Sequence, residues 1–143
     1  MWSLFLTTAI LLAADPVAPT SALPCEIVSI HDADSLVARI KVHILRIESE
    51  PLTLRLANAD AWEIDRTRQT VTVTDAEIVK GKAARADLVA LLATADLYAE
   101  AGTTDPYGRT SAILWAKPKD GKAWILIAAW LEQRGHLRTP RTK

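Results

Sequence analysis

Between Cys25 and Ala57 apolar residues recur at every second position in three short runs, and helical spacing does not begin until Thr74. CEIVSI (25–30) alternates, and HDAD (31–34) is a turn of residues whose side chains bond their own backbone. SLVARIKVHIL (35–45) resumes the alternation, with Leu36, Ala38, Ile40 and Val42 on one face. RIESEP (46–51) is a polar hairpin connection. LTLRLA (52–57) then sets Leu52, Leu54 and Leu56 on one face and Arg55 on the other. A period of two over such short segments belongs to strands with one buried face, and three in succession predict a meander.

The pattern changes after a polar loop at 65–74, which has room for a short strand at 70–74. Thr74 and Glu77 have capping-box spacing. A helix is expected from there to about Ala95, with Gly81, Ala84, Leu88, Leu91, Leu92 and Ala95 on one stripe. Lys80, Lys82 and Arg85 are read as its solvated face. Asp96 to Ala101 is expected as a fourth strand, TTDPYGR (103–109) as a turn and TSAILWA (110–116) as a fifth strand. KPKDGK (117–122) is a further turn. AWILIAAWLEQR (123–134) reads as a largely buried helix with Gly135 at its C-terminal cap. Trp115, Trp124 and Trp130 are expected in the core, and His31 and His136 on the surface. The order β-β-β-α-β-β-α gives a mainly β chain with helices (α+β). Five strands with a helix between the third and fourth is the layout of a five-stranded OB-type barrel with two main helices.

The chain has 143 residues, enough for one domain with a core, and Lys plus Arg (17) balances Asp plus Glu (17). That balance excludes a global basic field, so any phosphate binding must come from a local cluster. Arg134, Arg138, Arg141 and Lys143 follow the last acid, Glu132, and are read as a solvated terminus. Cys25 is the only cysteine, which excludes an internal disulfide and a cysteine-based zinc site. His31, His43 and His136 lack ligand spacing. The first fourteen residues, MWSLFLTTAILLAA, are apolar and uncharged, shorter than a membrane span, and fit the apolar region of a secretory signal. No Lys or Arg occurs before Arg39. The expected location is secreted or periplasmic; an uncleaved membrane anchor, or a hydrophobic terminal strand or helix, is the alternative. The expected organisation is a signal peptide and Pro-rich linker over 1–24, a folded domain over 25–138 and a basic tail over 139–143.

Three separated segments carry matching chemistry: HDADS supplies Asp32 and Asp34, RLANADAWE supplies Arg55, Asp60 and Glu63, and DPYGR supplies Arg109. Carboxylates are hard oxygen ligands suited to calcium or magnesium. Arginine forks pair with phosphate oxygens, and a further carboxylate can orient or deprotonate a water. Phosphodiester hydrolysis requires this set of parts, because pre-placed cations stabilise the negative charge that develops on the phosphoryl oxygens.

From about Cys25 to Leu137 the sequence resembles the staphylococcal nuclease (thermonuclease) family, whose fold is an OB barrel. HDADSLVARI is similar to the family's Asp-Gly-Asp-Thr turn and second strand. LTLRLANADAWEI resembles its arginine, aspartate and glutamate pattern, GKAARADLVALL its first helix, DPYGRTSAILW its Asp-x-Tyr-Gly-Arg turn, and AWILIAAWLEQRGHLR its last helix. The resemblance implies Asp34 and Asp60 as calcium ligands, with the backbone carbonyl of Ala61 beside them and Asp32 just behind the metal. It implies Glu63 as the group that positions or deprotonates the attacking water, and Arg55 and Arg109 as the phosphate-binding arginines. Tyr107 matches a tyrosine near the substrate, read as a packing residue whose hydroxyl also faces the site. The chain departs from the family pattern at Ala33 (a turn glycine), Ser35 and Ala61 (threonines), Trp62 (a proline), and Thr110 and Ser111 (apolar residues). Ala33 would shift the metal loop if the turn needs positive φ. Trp62 is either packed on the barrel or a base-stacking platform.

The resulting expectation is a calcium-dependent nuclease that hydrolyses DNA and RNA to 3′-phosphate ends. It would act as a monomer without a stable protein partner, and would meet a membrane only if the N-terminal segment is uncleaved. The alternative is a catalytically weak or inactive OB-fold module that binds single-stranded nucleic acid or a protein.

Overall fold

Strand pairing begins two residues earlier than the alternation suggests. In the computed structural model, which describes residues 16–42, 45–66 and 72–138, β1 runs over Leu23–Ile30. Leu23 and Pro24 already pair with Ala99 and Tyr98, so the end of the expected linker belongs to the sheet. β2 (Ser35–Val42), a two-residue strand β3 (Ile47–Glu48) and β4 (Leu52–Leu56) follow. β3 lies inside the segment expected as a bare hairpin connection and pairs with Lys41 and Val42 of β2. After α1 (Asp75–Ala93) come β5 (Ala95–Thr104), β6 (Arg109–Pro118), a two-residue β7 (Ile125–Leu126) and α2 (Ile127–Gln133). The signal-like segment 1–14, residues 43 and 44 of the second run, residues 70 and 71 of the expected strand at 70–74 and the tail 139–143 lie outside the described residues. Residues 72–74 are not strand.

The chain is therefore mainly β sheet with two helices. Five strands form a ring: β1 pairs with β2, β2 with β4, β4 with β6, β6 with β5, and β5 with β1. All these pairings are antiparallel except β4–β6. The alternation read from the sequence becomes inside and outside of this ring. Leu36, Ala38, Leu54, Leu56, Leu97, Ala99, Ala112 and Leu114 point in and are buried with Leu88 of α1 and Ile127 and Leu131 of α2. Each fully buried leucine or isoleucine contributes on the order of 1.5–3 kcal/mol. Arg55, Ser35 and Ser111 stand opposite one another on the outer face.

α1 begins as expected. Thr74 accepts from the Glu77 N–H, and the Glu77 carboxylate accepts from the Thr74 N–H. α2 begins later than expected, at Ile127, because Ile125 and Leu126 pair with Ala116 and Trp115. An apolar run bonds equally well as strand or helix, and here the open edge of β6 takes its first half. α2 ends in a Schellman motif: Gly135 (φ 71°) donates to the Glu132 carbonyl and His136 to that of Leu131. Among the tryptophans expected in the core, Trp115 is buried, but Trp124 and Trp130 are half-buried. Trp124 meets Tyr98 edge-on, at 4.8 Å between ring centres.

Candidate functional site

The site is built on the outer face of the ring where β2, β4 and β6 run side by side. The 31–34 turn that opens β2 is closed by the N–H groups of His31 and Asp32 on the Ser35 carbonyl, and by the Asp34 N–H on the Asp32 carboxylate at 3.2 Å. Ala33 fits this turn without strain. The non-glycine residues with positive φ among the described residues are Arg46 and Asn58, and the Ala33 methyl is buried in the core. The shifted loop that alanine would cause in a positive-φ turn therefore does not arise.

Asn58, at φ 56°, turns the chain at the end of β4, a conformation that asparagine tolerates well. The turn brings Asp60 back beside Arg55. Arg55 Nη2 lies 2.9 Å from Asp60 Oδ1 and 3.6 Å from Asp34 Oδ2, and the Ala61 N–H donates to Asp34 Oδ2 at 2.7 Å. Asp34 and Asp60, two of the residues expected to hold a metal, thus meet around one guanidinium nitrogen, while Ala61 contacts Asp34 through its N–H and not the expected carbonyl. Asp34 and Asp32 are only 4% and 7% exposed. Burial pushes the Asp34 carboxyl up to about 7, with the neighbouring Asp32 adding to the shift; burial likewise raises Asp32. Two buried acids beside a cationic group form a hard-oxygen donor set that a divalent cation would relieve. Among the described residues, no three acidic, imidazole or thiol groups stand close enough together to hold a metal ion.

Arg55, Glu63, Arg109, Tyr107 and Asp32 line one cleft of about 700 Å³, together with Ser35 and Thr53. Asp60 lines a neighbouring cleft of about 690 Å³, which Arg55 also borders. Arg109 is fixed by the turn before β6. Asp105 Oδ1 accepts from the N–H groups of Tyr107 and Arg109, and Asp105 Oδ2 accepts from Arg109 Nε at 2.7 Å. The backbone bond from Arg109 is the leading cause that holds the Asp105 carboxyl below its usual range. With Nε engaged, the two terminal nitrogens of Arg109 have no hydrogen-bond partner among the described residues.

Two expected roles change. Tyr107 is 84% exposed, so it is not a packing residue; it stands at the rim of the cleft with Arg109 5.4 Å from its ring. Trp62 is half-buried with its indole N–H enclosed, and Lys80 Nζ lies 4.5 Å from its ring centre. It does not line the cleft with Arg55 and Arg109, which favours the packed role over base stacking. Lys80 therefore belongs to this packing, and Arg85 bonds the Ile30 carbonyl, so neither is merely solvated. His136 is also enclosed, with Nε2 2.7 Å from Asp87 Oδ2.

Three further residues hold the site, and the sequence did not mark them for that role. Asp105 orients Arg109. Gly81 was legible only as part of the core stripe, yet a Cβ there would lie 2.1 Å from the Glu63 carbonyl oxygen. Arg138 was read as tail, yet its N–H bonds the Asp60 carbonyl at 2.7 Å and its Nη1 lies 3.7 Å from Glu63 Oε1. A scan against models of protein families finds none that matches the chain, and a search of curated proteins finds no significant relative.

Proposed function

We propose that the chain is a calcium-dependent nuclease of the staphylococcal nuclease type, its five-strand ring an OB-type barrel, hydrolysing phosphodiester bonds of DNA and RNA to leave 3′-phosphate ends. The observation that carries this reading is the meeting of Asp34 and Asp60 at Arg55 Nη2, beside a cleft whose walls include Arg55, Glu63 and Arg109.

Asp34, Asp60 and the Ala61 carbonyl are the groups that would hold calcium, with Asp32 behind them. When bound, the ion would neutralise charge developing on a phosphoryl oxygen. Arg55 and the terminal nitrogens of Arg109 would bind the phosphate oxygens, and their charge stabilises the transition state more than the ground state. Glu63 Oε would accept the proton of the water that attacks phosphorus. Asp105 keeps the Arg109 fork aimed by bonding its Nε. Exposed Tyr107 offers a face on which a base could stack without cost to the core.

Digestion of single-stranded DNA with calcium, and with excess chelator, tests the reading. Calcium-dependent cleavage is expected. Glu63→Ala and Arg109→Ala should each lower kcat by about 10²-fold or more while keeping the fold, the usual range for a general base or an oxyanion-stabilising group. Wild-type rates in either variant would overturn its assigned role. Binding of single-stranded DNA without any cleavage would favour the binding-module alternative.

A further inference from the structure

We propose that Arg138 is a positioning residue that sets the orientation of the Glu63 carboxylate. This role rests on the nuclease reading, in which Glu63 takes the proton from water.

The Schellman end of α2 turns the chain so that Leu137 bridges Ala61 and the Arg138 N–H bonds the Asp60 carbonyl. The chain after α2 thus becomes a strand-like partner for the acid-bearing loop. Its approach is fixed from the side by the 2.7 Å contact of His136 with Asp87 on α1. The Arg138 side chain is only 15% exposed, unusual for an arginine. Its guanidinium carbon lies 5.9 Å from the Trp62 ring centre, and its Nη1 lies 3.7 Å from Glu63 Oε1. Among the described residues Arg138 is the one ion-pair partner of Glu63. The Glu63 backbone packs separately, closely against α1 at Gly81. Backbone and carboxylate are therefore contacted by different groups, and only the second depends on the Arg138 side chain. A planar fork beside an indole holds one geometry better than a flexible ammonium does.

A base displaced by about 1 Å can lose on the order of 10²-fold in rate. In the full chain, Arg138→Ala should therefore lower kcat on single-stranded DNA by about 10- to 100-fold, with KM within about twofold. Arg138→Lys should recover part of the loss. Adding Arg138→Ala to Glu63→Gln should cost nothing beyond Glu63→Gln alone, since a residue acting through Glu63 has nothing left to position. If Arg138→Ala does not fold, Arg138→Gln, which keeps more of the side chain's packing volume but not its charge, carries the same three expectations. A wild-type kcat in Arg138→Ala, a loss confined to KM, or losses that multiply in the double variant would each overturn the positioning role. A slow Glu63→Gln beside a wild-type-rate Arg138→Ala removes only this role. An inactive wild-type chain, or a Glu63→Gln at wild-type rate, removes the nuclease reading with it.

Discussion

Asp32 and Asp34 sit side by side in a buried turn at the cleft, and their protonation affects how stable the turn is without a cation. Burial is the leading cause raising both, and Asp34 reaches about 7. An acid whose folded pKa exceeds its unfolded value, about 4 for aspartate, binds more protons folded than unfolded between those values. Stability in chelator should therefore fall as pH rises from about 4 to about 7. Asp34→Asn removes the charge but keeps an oxygen for the Ala61 N–H and gains an amide that can donate to the Asp32 carboxylate. Thermal melts in chelator should show the wild-type Tm declining from about pH 4 to about pH 7, and the variant melting higher at about pH 8. A variant that melts lower there would mean that Arg55 already compensates the ionised Asp34. These acids were legible in HDADS as candidates, because Arg55, Asp60, Glu63 and Arg109 elsewhere in the chain supply matching chemistry. Their mutual depth was not, since burial depends on how the ring closes over the turn.

At the scale of elements, α1 was legible almost whole. Its capping box, its stripe from Gly81 to Leu92 and its length follow from local rules that tertiary contacts did not override. α2 was legible over its full length but not its start, because nothing local distinguishes the Ile125–Leu126 strand from a first helical turn. Gly81 illustrates how local and tertiary rules can oppose each other. Glycine inside a helix costs about 0.5–1 kcal/mol relative to alanine, so propensity alone predicts that Gly81→Ala stabilises. The packing predicts the reverse. A Cβ at 81 would lie 2.1 Å from the Glu63 oxygen, 2.6 Å from its carbonyl carbon and 2.7 Å from the Trp62 oxygen. All three are backbone atoms, so the loop must move as a unit, and overpacking of this kind costs typically about 1–3 kcal/mol. Gly81→Ala should lower the Tm and also lower kcat, since the displaced segment carries Glu63. An unchanged Tm with full activity would show that α1 can slide away from the loop.

Across the whole molecule, what the sequence could not reveal is the contact of one end with the middle. The return of Leu137 and Arg138 to Ala61 and Asp60 depends on where the ring delivers the end of α2, and no local pattern encodes it. The same closure has a thermodynamic consequence. Asp34 opens β2, Asp60 follows β4, and they meet only because β2 and β4 pair with Ser35 opposite Arg55. In the unfolded chain no such pair of carboxylates exists, so a cation that binds it binds the folded state alone, and its binding free energy adds to stability. At a calcium concentration about 100 times the Kd this linkage is worth about 2.7 kcal/mol. For a chain of this size that corresponds to a Tm increase on the order of 10 °C. Calcium should thus raise the Tm, chelator should reverse the rise, and Asp34→Ala should abolish it while still melting cooperatively. Magnesium, which requires a tighter octahedral shell, should shift the Tm less at equal concentration. Sites of few ligands bind calcium with Kd values up to about 10⁻³ M, so the titration must reach about 10 mM before its outcome counts. A Tm that stays flat to that point, or a rise that survives in Asp34→Ala, would take calcium out of the proposed chemistry and leave the two arginines and Glu63 to account for any cleavage by themselves.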